Sequence, residues 1–190
     1  MSTPSPASGF ILAGGQSVRL GRDKATLDWH GRSLLEHMVE LMSSACDSVQ
    51  VVGRGNLPDV HPGLGPIGGI FTALSSSTTD LNLIVGVDLP LLTSRFLNYL
   101  RSRSESSSRD LVVCKIGSGF PLCLGVRRNL KSEVDRYIES GKRSLQGLIE
   151  TAACDVISLP DLQASGFSER IFANINTELD YWTALLSDNP

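Results

Sequence analysis

Residues 9–25 read Gly-Phe-Ile-Leu-Ala-Gly-Gly-Gln-Ser-Val-Arg-Leu-Gly-Arg-Asp-Lys-Ala. A short apolar run stops at the pair Gly14-Gly15, and the cations Arg19 and Lys24 follow within the same stretch. Glycines let backbone N–H groups turn toward phosphate oxygens, and Arg and Lys side chains neutralise phosphate charge. The stretch therefore predicts a strand that feeds a polyphosphate-binding loop.

This run matches neither of two familiar nucleotide-binding templates. It contains no G-x-x-x-x-G-K-[ST], the phosphate loop of many NTPases, and no G-x-G-x-x-G, the dinucleotide fingerprint. A glycine pair after a strand is by itself typical of a turn. A plain turn with surface cations is thus the alternative, and the combination of strand, glycines, Arg and Asp-Lys favours phosphate binding.

Apolar spacing along the chain predicts an α/β fold with a mainly parallel sheet. Strands are predicted at residues 9–13, 49–52, 82–87, 111–114, 120–126, 156–159 and 171–175. The strand at 120–126 is predicted to be antiparallel because its connection to the previous strand is short. The polar, Ser-rich segment 101–109 predicts an exposed loop.

Helices are predicted between these strands. Ser33 and Glu36 form a capping box ahead of an amphipathic helix that runs to about residue 45. Thr93 is a predicted helix cap, and Pro66 suits the first position of a helix. Further helices are predicted around residues 130–138 and 144–151. A last helix starts after residue 176, with Leu179, Trp182 and Leu185 facing the core.

Length and composition narrow the possible functions. The chain has 190 residues and a net charge of −3, which suits one α/β domain and gives no reason to expect nucleic-acid binding. No apolar run reaches the length of a membrane span. Residues 1–8 lack a signal-like pattern, so we expect a disordered tail ahead of a single domain at 9–190, in the cytoplasm.

Zinc binding and covalent catalysis find no support in the sequence. The sequence contains no C-x-x-C pair, and its histidines are not spaced as metal ligands are. It also lacks the G-x-S-x-G motif of a serine nucleophile. Phosphoryl or nucleotidyl transfer fits better, because it depends on orientation, cations and Mg²⁺. The residues excluded as metal ligands are Cys46, Cys114, Cys123, Cys154, His30, His37 and His61.

Asp88 is the candidate Mg²⁺ ligand. It follows the nearly uncharged predicted strand at 82–87, and ligands of open α/β sheets bind beyond the carboxyl ends of strands. Mg²⁺ commonly uses one or two protein carboxylates together with phosphate oxygens and water. The alternative is an Asp that caps the next turn.

Three further features could contact a nucleotide or its partner substrate. Small residues at 63–69 allow close approach to a base or ribose, or equally the packing of a helix on the sheet. Asp59 could accept hydrogen bonds from a purine edge or stabilise a turn. Asn174 and Asn176 could bind a polar heterocycle, although a helix cap also explains Asn176.

Together these motifs resemble those of the molybdenum cofactor guanylyltransferase family. Residues 12–25 resemble its signature loop, and Gly65–Ile70 resembles its G-P-L-x-G-[IM] segment. Val87–Pro90 resembles its C-D-x-P segment, and Phe172–Thr177 its N-x-N-T-P motif, with Glu178 in place of the proline. The resemblance implies a three-layer, Rossmann-like nucleotidyltransferase fold with a mostly parallel central sheet.

The resemblance also implies a reaction, in which GTP and molybdopterin cofactor give the guanine dinucleotide cofactor and pyrophosphate. Transient contact with molybdoenzymes or their chaperones is a further expectation. The implied roles are nucleotide binding by Leu12, Ala13, Gly14, Gly15, Lys24, Asp59 and Asp88, catalysis by Arg19, Lys24 and Asp88, Mg²⁺ binding by Asp88, and molybdopterin binding by Asn174 and Asn176. Gly53 stands where the family usually has Asn.

Three alternatives remain at this stage. A molybdopterin cytidylyltransferase shares the chemistry, but that family tends to have Pro-Lys where this chain has Asp23-Lys24. A sugar-phosphate nucleotidyltransferase is usually longer and also carries a proline before the lysine. A nucleotide-binding partner of molybdoenzymes without catalytic activity is the third alternative, and the presence of Arg19, Lys24 and Asp88 argues against it.

Overall fold

The computed structural model describes residues 5–14 and 21–187. In that part of the chain the strands are β1 (Ala7–Leu12), β2 (Asp28–Trp29), β3 (Arg32–Ser33), β4 (Ser48–Val52), β5 (Leu81–Gly86), β6 (Leu111–Cys114), β7 (Cys123–Arg127) and β8 (Cys154–Ile157). The α-helices are α1 (Leu34–Ser43), α2 (Pro66–Ser76), α3 (Ser94–Ser106), α4 (Lys131–Glu139), α5 (Leu145–Thr151), α6 (Leu159–Ala164) and α7 (Glu178–Ser187).

Six strands form one sheet in the order β4-β1-β5-β7-β6-β8, and β2 and β3 pair separately as a hairpin. Strand β7 runs antiparallel to both of its neighbours, whereas the other three pairings are parallel. The predicted mostly parallel sheet and the antiparallel strand are therefore confirmed. The short turn at 116–119 lets the chain reverse between β6 and β7 without a crossover helix.

Helices cover both faces of the sheet. Alternate residues of β1 point to opposite sides, so that Phe10 belongs to one hydrophobic core and Ile11 to the other. Helices α1, α3 and α7 pack into the core with Ile11, and α2, α4 and α5 into the core with Phe10. This arrangement is the predicted three-layer α/β fold, and β1 and β5 are buried on both faces as expected for central parallel strands.

Local sequence signals explain several helix starts. The Ser33 hydroxyl accepts a hydrogen bond from the Glu36 N–H while the Glu36 carboxylate accepts one from the Ser33 N–H. Thr93 caps α3 through the Phe96 N–H, and Pro66 occupies the first turn of α2. These predictions are confirmed. Among the described residues no helix is both long and apolar enough to span a membrane.

The predicted loop at 101–109 is wrong, because α3 continues to Ser106. Packing outweighs the poor helix propensity of serine here. Ser104 is buried against Gly125 of β7, where a Cβ atom would lie 1.8 Å from the Ser104 Oγ. Arg101 adds a hydrogen bond of 2.7 Å from Nη1 to the Ala45 carbonyl.

The predicted strands near the end of the chain also need correction. Strand β8 ends at Ile157 because Ser158 and Asp161 form a capping box that starts α6, a helix the apolar pattern did not indicate. Residues 171–175 form no strand; Glu169–Phe172 is a 3-10 helix. The Ile175 N–H instead donates to the Asp88 carbonyl at 2.9 Å, which ties this segment to the end of β5.

The predicted inward face of α7 is wrong for two of three residues. Leu179 is 76% exposed and Trp182 is 50% exposed, while Leu185 packs against the core. Tyr181 is the large residue that α7 buries, at 8% exposure, and its hydroxyl donates to the Asp28 carbonyl at 2.6 Å. That hydrogen bond lets a tyrosine occupy an inward position.

The orientation of α7 predicts different costs for two adjacent substitutions. Tyr181→Ala should lower the free energy of unfolding by about 3 kcal/mol, because it empties a packed site and removes a hydrogen bond. Trp182→Ala should change it by less than about 1 kcal/mol. Urea unfolding of both variants checks this, and a larger loss in Trp182→Ala would contradict the helix orientation.

Candidate functional site

A cleft lies at the carboxyl edge of the sheet, where β1, β4 and β5 end side by side. Leu12 at the end of β1 pairs with Val52 of β4 on one side and with Gly86 of β5 on the other. The cleft has a volume of about 630 Å³ and is lined by the residues that follow these strands and by the loop before α2. This is the edge at which open α/β sheets bind ligands.

The floor of the cleft is made of backbone that approaches closely. Gly53, directly after β4, has φ of +85°, and a Cβ atom on it would lie 2.4 Å from the Gly14 Cα. Leu12, Ala13 and Gly14, three of the predicted nucleotide-binding residues, all line the cleft. Gly15 and Arg19, also predicted site residues, lie outside the described residues.

The close contact also explains why residue 53 is a glycine. The left-handed backbone at this position disfavours most side chains, and Gly14 leaves no space for a Cβ. In this chain, two glycine backbones therefore meet where a side chain would otherwise enter the cleft.

Three predicted site residues meet at one side of the cleft. The Lys24 Nζ lies 3.2 Å from the Asp88 Oδ2 and 2.9 Å from the Asn176 Oδ1. The Lys24 and Asp88 side chains are only 16% and 26% exposed, so their ion pair is partly shielded from water. Residues separated by 64 and 152 positions in the chain thus form a cation–carboxylate–amide group.

The local fold of the chain places Lys24 in this group. The Asp23 carboxylate accepts a hydrogen bond of 3.1 Å from the Ala25 N–H, which begins a 3-10 helix at Lys24–Thr26. Ala25 is buried, and this leaves Lys24 beside the end of β5. The Arg54 guanidinium, bonded to Asp23, holds the pKa of the Asp23 carboxyl below its usual value.

Asp59 has the turn-stabilising role that was one of its two predicted roles, and it also lies at the cleft. It lines the cleft, and its Oδ1 also accepts hydrogen bonds from the His61 N–H at 3.0 Å and the Thr72 hydroxyl at 2.9 Å. The glycines of this region divide in a similar way. Gly65 lines the cleft, whereas a Cβ on Gly68 would lie 2.5 Å from the His61 carbonyl oxygen of the preceding loop. Gly69 lines the cleft and also packs on the sheet, because its Cβ would lie 2.9 Å from the Leu12 Cδ1.

The two predicted asparagines do not behave alike. The Asn176 side chain contacts Lys24 and does not cap α7; the cap is Thr177, whose hydroxyl accepts a hydrogen bond of 3.1 Å from the Asp180 N–H. Asn174 is exposed and is not part of the cleft lining. Asn174 directly precedes Ile175, whose N–H donates to the Asp88 carbonyl oxygen.

Comparison with known proteins agrees with this geometry. Residues 9–156 match the family model of the MobA-like NTP transferase domain. The chain belongs to the MobA-like NTP transferase family. It is 34% identical, over 100% of both chains, to the molybdenum cofactor guanylyltransferase of Xanthomonas euvesicatoria pv. vesicatoria (strain 85-10). The protein is therefore a nucleotidyltransferase of the molybdenum cofactor guanylyltransferase type.

Solved structures show how widely this MobA-like fold is shared. Molybdopterin-guanine dinucleotide biosynthesis protein A from Archaeoglobus fulgidus superposes with a TM-score of 0.82 at 24% identity, covering 95% of this chain and 97% of that one. A 4-diphosphocytidyl-2C-methyl-D-erythritol synthase from Anaerococcus prevotii superposes with a TM-score of 0.69 at 14% identity, covering 97% and 99%. The fold is thus common to enzymes whose names refer to different bases.

Sequence reasoning missed two residues of this MobA-like site. Arg54 bonds to Ala13 and Asp23, and no motif or spacing in the sequence pointed to it. Gly86, the last residue of β5, lies beside Asp88, and a Cβ on it would be 2.6 Å from the Asp88 Oδ1. The apolar pattern of a strand that is buried on both faces does not indicate which of its residues must be glycine.

The surroundings of Asp88 are compatible with a divalent cation. Its carboxylate faces the cleft, and the missing side chain of Gly86 leaves space next to Oδ1. Within residues 5–14 and 21–187, no three His, Cys, Asp or Glu side chains cluster as a ready-made metal cage. A single carboxylate suits Mg²⁺, which completes its shell with phosphate oxygens and water.

Gly86→Ala should impair nucleotidyl transfer more than it impairs folding. The added methyl would displace the Asp88 carboxylate, and small displacements at a reacting centre cost roughly tenfold to hundredfold in rate. Steady-state kinetics and thermal unfolding of the variant check this. Gly119→Ala is the matched control, because its Cβ would approach only the Ile116 oxygen at 3.8 Å. An unchanged rate in Gly86→Ala would contradict the assigned position of Asp88.

Proposed function

We propose that this protein transfers GMP from GTP to molybdopterin cofactor and releases pyrophosphate. The observation that carries the proposal is the Lys24–Asp88 pair, 3.2 Å apart, beside the backbone that follows β1. At that place a cation can bind the phosphates of a triphosphate, and a carboxylate can bind its metal ion. The full-length similarity to a guanylyltransferase supports guanine as the base.

The reaction joins a phosphate oxygen of molybdopterin to the α-phosphorus of GTP. The bond from that phosphorus to the oxygen that bridges it to the β-phosphate breaks, and pyrophosphate leaves with the bonding electrons. The protein contributes orientation and charge neutralisation rather than a covalent intermediate. Lys24 has three N–H donors for this purpose, and Arg19 is proposed to assist the leaving pyrophosphate.

Asp88 is the residue that would hold Mg²⁺. When bound, that ion would supply neutralisation of the charge on the phosphate oxygens. In the structure the Asp88 carboxylate forms an ion pair with the Lys24 ammonium. Lys24 therefore lies where it can move from the carboxylate to a phosphate oxygen once GTP enters.

The remaining site residues are assigned to the two substrates. Leu12, Ala13, Gly14 and Gly15 are proposed to contact the nucleotide through their backbone. Asp59 Oδ2 is proposed as an acceptor for the nucleoside, because Oδ1 holds the loop before α2.

Asn176 and Asn174 are proposed to bind the molybdopterin side. Asn176 supports this by its contact of 2.9 Å with Lys24, which brings the acceptor side next to the phosphates. Residues 9–190 are proposed to act as one cytoplasmic domain that meets molybdoenzymes or their chaperones transiently. The net charge of −3 supports the absence of a nucleic-acid partner.

We expect a dinucleotide product from GTP and not from CTP or ATP. Purified protein should release pyrophosphate only when Mg²⁺, the nucleotide and molybdopterin cofactor are present together. Mass measurement of the product from each nucleotide in parallel checks the base. Equal turnover with CTP would overturn the guanine assignment, and GTP binding without any product would favour a partner protein without catalytic activity.

Asp88→Ala should reduce product formation by roughly 10²–10³-fold, because it removes the proposed metal ligand. Asp80→Ala is the matched control, since Asp80 lies at the start of β5 and pairs with Arg127 instead. Product formation and circular dichroism of both variants are compared. Retained activity in a folded Asp88→Ala protein would remove Asp88 as the metal ligand.

A further inference from the structure

Arg54 contacts both ends of the predicted phosphate-binding loop. Its Nε donates to the Ala13 carbonyl oxygen at 2.9 Å, and its Nη2 forms an ion pair with the Asp23 Oδ1. Ala13 directly precedes the loop and Asp23 directly precedes Lys24. One guanidinium group therefore joins two points that are ten residues apart in sequence.

The two contacts need the shape of an arginine. A guanidinium carries five N–H donors in a rigid planar fork, so it can hold a carbonyl and a carboxylate in different directions at once. A lysine ammonium of similar reach is a single point charge. The Arg54 and Asp23 side chains are 32% and 38% exposed, so the pair is less open to water than a typical surface pair.

The interaction has a direct consequence for Lys24. Asp23 uses the same oxygen, Oδ1, to accept from Arg54 and from the Ala25 N–H. The ion pair therefore orients the carboxylate that starts the 3-10 helix at Lys24–Thr26. Because Lys24 is the first residue of that helix, Arg54 acts on the position of the Lys24 ammonium through Asp23.

Backbone hydrogen bonds that do not involve the Arg54 side chain also hold the fold around it. The Ala13 N–H donates to the Val52 carbonyl at 3.0 Å, which extends the pairing of β1 and β4. The Gly53 N–H donates to the Leu57 carbonyl at 2.8 Å, which closes the turn that carries Arg54. These backbone bonds remain when the side chain is truncated, so the sheet and the turn can persist without the guanidinium.

We propose that Arg54 is a positioning residue for GTP, which joins Ala13 to Asp23 and thereby sets the place of Lys24. This inference rests on the proposed function, since it assigns GTP as the nucleotide. Arg54 touches no reacting atom in this role. Its effect is on the affinity for the triphosphate and on the alignment of the phosphates, not on the acceptor.

The test compares Arg54→Ala, Arg54→Lys, Asp23→Ala and the double variant Arg54→Ala/Asp23→Ala. We expect Arg54→Ala to raise the KM for GTP and the calorimetric Kd of Mg²⁺–GTP about tenfold, the size of one lost charged hydrogen bond. The KM for molybdopterin should stay within about twofold. Arg54→Lys should recover only part of the GTP affinity, because it cannot keep both contacts.

The double variant distinguishes a shared role from two separate ones. If Arg54 acts through Asp23, the double variant should be no weaker for GTP than the weaker single variant. Additive losses would overturn the proposed route. An unchanged KM and Kd for GTP in Arg54→Ala would overturn the proposal altogether, as would an equal rise in the KM values of both substrates.

Arg127→Ala is the matched control for a loss of stability alone. Arg127 forms an ion pair of 2.7 Å with Asp80 and donates to the Ser104 carbonyl, at the edge of the sheet opposite the cleft. It should lower the unfolding temperature and leave the KM for GTP unchanged. Wild-type protein that binds GTP but forms no guanine dinucleotide would contradict the proposed function, while the Kd comparison would still decide the role of Arg54.

Discussion

The parallel pairing of β1 with β5 is the constraint on which the site depends. It places Leu12 opposite Gly86, so that the glycine loop and Asp88 leave the sheet at the same edge. The Val87 N–H continues this pairing with a hydrogen bond of 3.1 Å to the Leu12 carbonyl. A slip of one residue would turn Asp88 away from the cleft, because side chains alternate along a strand.

Missing side chains shape the cleft as much as the side chains that are present. Gly53 meets Gly14 in backbone contact, and Gly86 leaves space beside the Asp88 carboxylate. Each of these glycines follows or ends a strand of the main sheet, where backbone pairing already fixes the chain. The proposed phosphate contacts would therefore use backbone that is already ordered, without the usual cost of ordering a flexible glycine segment.

The sequence located the residues that meet at the cleft better than the residues that hold them in place. Lys24 and Asp88 could be found because a motif and a strand end are local patterns. Arg54 could not, since its partners come together only when β4 lies beside β1. The outward face of α7 was missed because Tyr181, with a polar hydroxyl, is buried and Trp182 is half exposed. In both cases the position of the side chain depends on a contact with a distant part of the chain, which residue type alone does not predict.

Asp23, the residue that favoured guanylyl over cytidylyl transfer in the sequence, has a defined structural role. Its φ of −69° is one that a proline also adopts, so the Pro-Lys of the cytidylyl-type pattern suits the same backbone. A proline would fix that angle covalently, but it could neither cap the Ala25 N–H nor pair with Arg54. This chain instead holds the backbone ahead of Lys24 through a carboxylate. In this chain the ion pair with Arg54 therefore depends on an acidic residue at position 23, whereas the Arg54 bond to the Ala13 carbonyl does not.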